Sequence, residues 1–474
     1  MNKQKAEPNA GKLISSLRSI GYSFEAAVAD IVDNSISASA NCIEIRCDYN
    51  SITPYLYILD DGRGMDKREL IEAMKFGSSG PNEIRSPDDL GRFGLGMKTA
   101  SLSQCSKLTV VSKKNGETNA FRWDVNSVIG DGEWNIIQLD EKTTEELPGH
   151  SQLTKHATGT LVVWQNLDRV EKRSSDLPAT LSKKMIVTKN HLSRTYHRYI
   201  DGDARRIIIK INNATLEAHD PFLTKNVKTQ PRPERKIQYG KDEVIIQAYI
   251  LPHLNEISDR DIVSLGGRGE LRKLQGFYVY RCKRLIIPGT WFGIIPKGEL
   301  SNLARIRIDL PNNMDIEWDV DVKKMAANLP DALKEKISQN IDDVTDRSRN
   351  VYIKRGRKQK NQEHFIWVRL PSSEGEPTVY EINRENPMIK GLIDNSASQK
   401  EVCALINIIE GSLPYSAIIA DIEDNLQKKD VDLDELISVT RDMLKAGAVT
   451  IEMLKTIEPF SDYPEIYRIF AESE

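Results

Sequence analysis

Asp30 and Asn34 stand four residues apart in a run that reads as helix, so they share a face. A carboxamide oxygen suits a magnesium ion already shared with phosphates. A carboxylate one turn earlier suits a water that must be held and deprotonated for attack on phosphorus. Glu25 is a poor rival for that task, because it falls about 180° around the helix from Asn34. Asp33 lies roughly 100° away and is expected to cap or brace the helix. Taken alone, the pattern fits a surface helix carrying ordinary Asp and Asn about as well.

Two further runs add to it. Asp60 ends the strand-like Tyr55-Leu56-Tyr57-Ile58-Leu59 and opens Asp60-Asp61-Gly62-Arg63-Gly64-Met65. A carboxylate buried at a strand end needs donors, and an exocyclic amine such as that of adenine is one. Gly62 and Gly64 let the backbone turn tightly against a flat ring, although a plain Asp-Gly turn reads the same way. Gly91-Arg92-Phe93-Gly94-Leu95-Gly96-Met97-Lys98 has the glycines of a loop that cradles phosphate with backbone N–H groups as a helix begins. Lys98 in the first turn of that helix opposes the helix dipole and has no evident local reason to be there. A phosphate supplies the reason; a solvated helix face is the other reading. Thr160, in the apolar strand after Gly159, is placed to hydrogen-bond a base or Asp60, or is simply a β-branched strand residue.

The elements that must position these residues follow from patterning. A short amphipathic segment runs from Leu13 to Ile20. A helix is predicted over 23–40 with Ser23 as N-cap. Strands are predicted at 42–48 and 54–59, a helix capped by Asp66 over 66–76, and a Gly/Pro-rich loop over 77–96. A helix begins near Leu95, and strands follow at 107–113, 119–124 and 159–164. A helix over 181–200 closes a first domain, 1–202. A second domain, 203–345, has strands at Arg206–Asn212, Glu243–Leu251, Gly276–Arg281 and Leu303–Leu310 and helices over 330–345. The remainder, 346–474, opens with a basic linker whose densest run is 354–360, and it is mixed but mostly helical, with patterns at Ala404–Glu410 and Leu433–Ala446.

Composition bounds the class. Two or three domains are expected from 474 residues. Lys plus Arg numbers 66 against 69 for Asp plus Glu, a formal net charge of -3, which argues against an overall electrostatic binder of nucleic acid but allows a local basic groove. Five scattered cysteines with no CxxC pair offer no zinc framework and fit a reducing cytoplasm. The polar Met1–Ala10 stretch carries no apolar core of a signal peptide. No apolar run approaches the roughly 20 residues of a membrane span.

In this order and combination, Ala29-Asp30-Ile31-Val32-Asp33-Asn34-Ser35, the Asp60–Met65 run and the Gly91–Lys98 run resemble the GHKL superfamily, which includes DNA gyrase B, the heat-shock ninety chaperones, histidine kinases and MutL. Within it the chain looks most like the bacterial form of the MORC-type ATPases. The resemblance implies an α/β sandwich ATPase domain of the Bergerat fold, followed by an α+β transducer-like domain of ribosomal-protein-like βαβ type. The run Gly276–Ile286 looks like the "YVNGR" strand of that transducer. The cofactors implied are ATP and Mg2+. Asn34 is the implied magnesium ligand, Asp60 takes the adenine amine with support from Thr160, and Gly62, Gly64 and Met65 complete that motif. Gly91, Phe93, Gly94, Leu95, Gly96, Met97 and Lys98 form the phosphate side, with 77–96 as an ATP lid. Asp30 is the implied base, and Lys323 or, by preference, Lys324 is the lysine sent to the terminal phosphate by the second domain.

One departure bears on rate. The family usually has Glu where this chain has Asp30, one methylene shorter, so weak ATP hydrolysis is expected. The resemblance further implies lid closure, homodimerisation on ATP binding with the 1–21 arm crossing to the partner, and a clamp acting on DNA. By analogy alone it points to a phage-defence or restriction-associated setting in the cytoplasm, with a separate nuclease or helicase subunit. The alternative is an ATP-regulated scaffold or interaction switch with little turnover. A histidine kinase reading is poor because the first histidine is His150. No metal motif of a nuclease is visible in 363–474.

Overall fold

The structure is a computed structural model that describes residues 9–311, apart from 20, 78–89, 91–95, 173, 203–204, 240–241, 254–255, 296 and 298–300, together with stretches that include 366–370, 379–394 and 398–412. The chain divides into two compact units, 1–348 and 349–474.

The first unit contains two sheets. The larger has eight strands: β1 (Cys42–Asp48), β2 (Tyr55–Asp60), β3 (Lys107–Lys114), β4 (Glu117–Asp124), β5 (Ile137–Gln138), β6 (Gly159–Gln165), β7 (Ile208–Ile211) and β8 (Ala214–Thr215). Their order is β5-β4-β3-β6-β2-β1-β7-β8, antiparallel throughout except for the β1–β7 pair. The second has six strands: β9 (Gln230–Pro231), β10 (Arg235–Tyr239), β11 (Asp242–Ile250), β12 (Gly276–Arg281), β13 (Arg284–Thr290) and β14 (Ala304–Leu310). Here β12 and β14 are parallel and β12–β13 is a hairpin.

Helices α1 (Ala10–Arg18), α2 (Phe24–Ser37), α3 (Lys67–Met74), α4 (Gly96–Leu102), α5 (Val125–Asp131), α6 (Glu141–Glu145), α7 (His150–Leu153), α8 (Asp168–Glu171), α9 (Leu177–Thr195) and α10 (His197–Ile200) accompany the larger sheet, while α11 (Asp259–Ser264) and α12 (Arg268–Lys273) accompany the smaller. The two-residue period of the strands sorts the core into layers. Leu56, Ile58, Val110, Val162 and Trp164 join α1, α2, α4 and α9 in the main cluster, and Trp164 meets the edge of Phe24 at 6.0 Å. Tyr57, Leu59, Val111, Leu161 and Val163 face the other way, onto Leu147 and Leu153. This is an α/β sandwich.

Local chemistry sets the helix starts. Ser23 caps α2 by accepting from Ala26 N, and eleven residues of this Ala-rich helix are buried. Asp66 and Glu69 form a reciprocal capping box on α3. Arg18 ends α1 by donating to the carbonyls of Leu102 and Cys105 and to Asp168, the last at 2.6 Å. The described part of the N-terminal arm therefore docks on its own chain.

Within the strand expected at 206–212, β7 pairs in parallel with β1, and Asn212 Oδ1 accepts from Cys47 N, so this strand extends the first sheet. A strand reached through a helical crossover is free to add at a parallel edge, and its own residues do not reveal which edge it takes. The two sheets are pinned together around α10. His197 Nε2 lies 2.7 Å from Tyr280 Oη, and Arg198 pairs with Asp309.

In the second unit the described residues form a hairpin, β15 (Trp367–Leu370) with β16 (Val379–Ile382), and helices Pro387–Asp394 and Gln399–Gly411. The expected helices at 330–345 and most of Leu433–Ala446, and the basic run 354–360, lie outside the described residues.

Candidate functional site

Asp60 is the last residue of β2 and pairs across the sheet with Thr160 of β6. It is buried, at 5% exposure. Its donors come from its own neighbourhood: Ser35 Oγ donates to Oδ2 at 2.8 Å and Gly62 N to Oδ1 at 2.9 Å. Burial pushes the Asp60 carboxyl up from its usual range, while hydrogen bonds from Ser35 and the Gly62 and Thr160 backbone pull against that shift. The Thr160 hydroxyl lies 3.0 Å from Ser112 Oγ, which also accepts from Met65 N at 2.9 Å. Ser112 thus ties the Asp60–Met65 turn to the sheet.

The glycines of this corner have steric reasons to be glycine. A Cβ on Gly62 would sit 2.9 Å from Ala38 O and from Asp60 Oδ1. Gly64 has φ +63, and a Cβ there would lie 2.1 Å from Lys113 O. At Gly159 it would lie 2.3 Å from Asp60 O.

On α2, Asp30 is buried at 4% exposure, whereas Asn34, one turn later, is the single exposed residue of the helix. An otherwise buried helix therefore opens to the outside at one carboxamide. Asp30 faces the start of α4: a Cβ on Gly96 would be 3.4 Å from Asp30 Oδ2. The helix after the glycine loop thus begins against the carboxylate.

Lys98 does not match the solvated-face reading. It is neither on a solvated face nor without local partners. It is 2% exposed, and its Nζ donates to Ala73 O at 2.8 Å and Lys75 O at 2.6 Å, at the end of α3. Terminal carbonyls of a helix are unsatisfied acceptors and attract a cation. Burial pulls its pKa down to about 8. Met65 and Met97 are partly buried against the main core. Gly91, Phe93, Gly94, Leu95, Lys323 and Lys324 lie outside the described residues.

Asp33 braces α2 as expected, with a partner that the sequence reading did not identify. Arg284 Nε of β13 pairs with Asp33 Oδ1 at 2.8 Å, with side chains 5% and 1% exposed. Tyr196 Oη, at the end of α9, donates to the same oxygen at 2.7 Å and lies 2.8 Å from Ala29 O. Leu90, buried between the two stretches of the glycine loop that are not described, donates its N–H to Ser37 Oγ at 3.1 Å and accepts from Arg281 at 3.2 Å. Ser35, Ser112, Arg281 and Arg284 were not singled out from sequence. Ser35 adjoins Asn34, and both arginines lie in the transducer-like run Gly276–Ile286, so position beside a motif was the available signal.

The described site thus brings together a helix carrying Asp30 and Asn34, a buried acid at a strand end, and the start of α4 at Gly96. Residues 22–160 match the family described as histidine kinase-, DNA gyrase B-, and HSP90-like ATPase. The chain is also similar to MORC proteins and to a chaperone. It is 33% identical over 97 residues to ATPase morc-1 of Caenorhabditis elegans, covering 20% of this chain and 11% of that protein. It is 31% identical over 94 residues to MORC family CW-type zinc finger protein 3 of Mus musculus, covering 19% and 10%. It is 24% identical over 213 residues to Chaperone protein HtpG of Aliarcobacter butzleri, covering 42% and 28%. The aligned segments thus span 10% to 28% of these relatives' length. Among the described residues no helix is long and apolar enough to cross a membrane.

Proposed function

We propose that the chain binds ATP with Mg2+ and hydrolyses it slowly, and that the glycine loop closes over the nucleotide. The observation that carries this reading is the contrast on α2, where a buried Asp30 stands one turn from the helix's one exposed residue, Asn34. A lone carboxamide suits a magnesium ion whose other ligands are phosphate oxygens and water. Among the described residues no cluster of three acids, histidines or cysteines forms an all-protein cage. Asn34 would hold the ion, which would offset the charge of the phosphates. Asp30 accepts the proton of the water whose oxygen forms the new bond to the γ-phosphorus as the bond to the ADP oxygen breaks. Asp60 receives the exocyclic amine of adenine, and Thr160 and Ser112 hold the wall beside it. Lys98 reaches phosphate by leaving the carbonyls of Ala73 and Lys75, while Lys324, with Lys323 beside it, is the lysine offered by the second domain.

Phosphate release from the full chain tests this. Low but measurable turnover is expected, and Asp30→Ala should abolish it while leaving ATP affinity nearly unchanged. Equal turnover in Asp30→Ala removes Asp30 as the base. A nucleotide-gated switch with little turnover is favoured by the short Asp30 and by the buried seat of Lys98. ATP-driven homodimerisation, clamping of DNA, a nuclease or helicase partner and a role in phage defence in the cytoplasm extend this reading by resemblance. DNA stimulation of turnover supports the clamp, and its absence favours the switch.

A further inference from the structure

The β12–β13 turn is the point at which the smaller sheet enters the nucleotide domain. Its two central residues, Cys282 and Lys283, have φ +47 and +64. Neither is glycine, and such conformations persist only where the surroundings over-determine them. The surroundings do so here. Tyr199 Oη donates to Cys282 O at 2.5 Å, Arg281 donates to Leu90 O, and Arg284 is buried against Asp33. The two arginine contacts lead to α2: Asp33 lies inside it, between Asp30 and Asn34, and Ser37, its last residue, holds Leu90.

A buried ion pair adds little net stability over a well-packed apolar pair, but it fixes a geometry. Asp33 is three residues after Asp30 and one before Asn34, so whatever sets the rotation of α2 at Asp33 aims both functional side chains. We propose that Arg284 is a positioning residue for the nucleotide reaction: held by the β12–β13 turn, it grips Asp33 and so fixes the rotation of α2 and the aim of Asp30 and Asn34. The smaller sheet then controls turnover from α2's rear face without touching the nucleotide. This inference rests on the ATPase reading above.

The test compares the full chain with the double variant Asp33→Asn/Arg284→Met, which removes both buried charges and keeps an acceptor for Tyr196. Thermal unfolding, ATP affinity by calorimetry, kcat and hydrogen exchange over 24–37 are read on each. The expected result is a melting temperature near that of the parent, ATP affinity within about threefold and kcat lower by about 10- to 100-fold, because a shift near 1 Å costs about that much. Exchange should quicken in α2 while the rest of the sheet keeps its protection. Parent-level kcat and parent-level α2 protection in the double variant overturn the inference, as does an equal loss of affinity and kcat. If the double variant does not fold, Arg284→Lys, which keeps the charge but lacks the planar fork, should show the same split in milder form. A parent chain that fails to bind ATP sinks the ATPase reading instead, and the exchange comparison then still decides whether Arg284 holds α2.

Discussion

The Asp60 corner and the Asp30–Asn34 face of α2 are built on different principles. Around Asp60 the partners are Gly62 two residues on, Ser35 from the neighbouring helix α2, and Thr160 directly opposite on β6, with Ser112 of β3 behind Thr160. That corner is a finished mould. Along the Asp30–Asn34 stretch the contacts come from far along the chain: Gly96 of α4 lies against Asp30, Tyr196 at the end of α9 and Arg284 of the other sheet hold Asp33, and Asn34 remains exposed. On the proposed ATPase reading, the base would be read at the Asp60 corner and the reaction governed by the contacts that converge on α2.

Breaking the mould should have the largest effect. Asp60→Ala removes the acceptor for adenine and leaves Ser35 Oγ and Gly62 N without theirs. Calorimetry should show ATP affinity lower by about 100-fold or more. Retained affinity would mean that the base is held elsewhere. On the other face, Asp30→Ala should lower kcat by about 100- to 10,000-fold with affinity kept within about threefold, so the two substitutions should separate binding from turnover. If both variants lose affinity alike, the proposed division fails.

Gly64→Ala tests the rigidity of the mould directly. The added Cβ meets Lys113 O and forces a left-handed backbone. Denaturant unfolding should show a loss of about 3 kcal/mol or more. A neutral result would mean that the turn relaxes freely.

A smaller effect is expected from His191, on α9 beside the Arg284 cluster. Burial, then the charges of Arg284 and Arg194, pull its pKa down to about 4. The unfolded chain therefore binds a proton below about pH 6.5 that the folded chain refuses until about pH 4. Stability should fall as pH drops through that window, by on the order of 2 kcal/mol after allowing for the partly exposed ring. His191→Gln should flatten this part of the pH profile; an unchanged slope would assign it to other groups.

The same contrast explains what could be read in the sequence. Local signals carried the larger sheet: Ser23 and Asp66 as caps, the alternation along β1, the apolar runs of β2, β3 and β6, and the burial of Asp60 at a strand end. Contacts between distant segments were not encoded in any local period. The pairing of β7 with β1, the seat of Lys98 on Ala73 and Lys75, and the Arg284–Asp33 pair each join stretches that periodicity treats separately. Lys98 is instructive, because a lysine at the start of a helix has no partner within its own helix, yet the end of another helix supplies two carbonyls. The sequence reading expected Asp33 to brace α2, but the brace could not be completed without knowing where the hairpin turn lands.

The most direct test of the central claim is calorimetric titration of the full chain with Mg-ATP, alongside Asp60→Ala and with GTP as the competing nucleotide. The account predicts saturable binding of ATP, lost in Asp60→Ala and much weaker for GTP, whose six-position carries a carbonyl where adenine offers an amine to Asp60. Equal binding of the two nucleotides, or no binding of adenosine nucleotides at all, would contradict it.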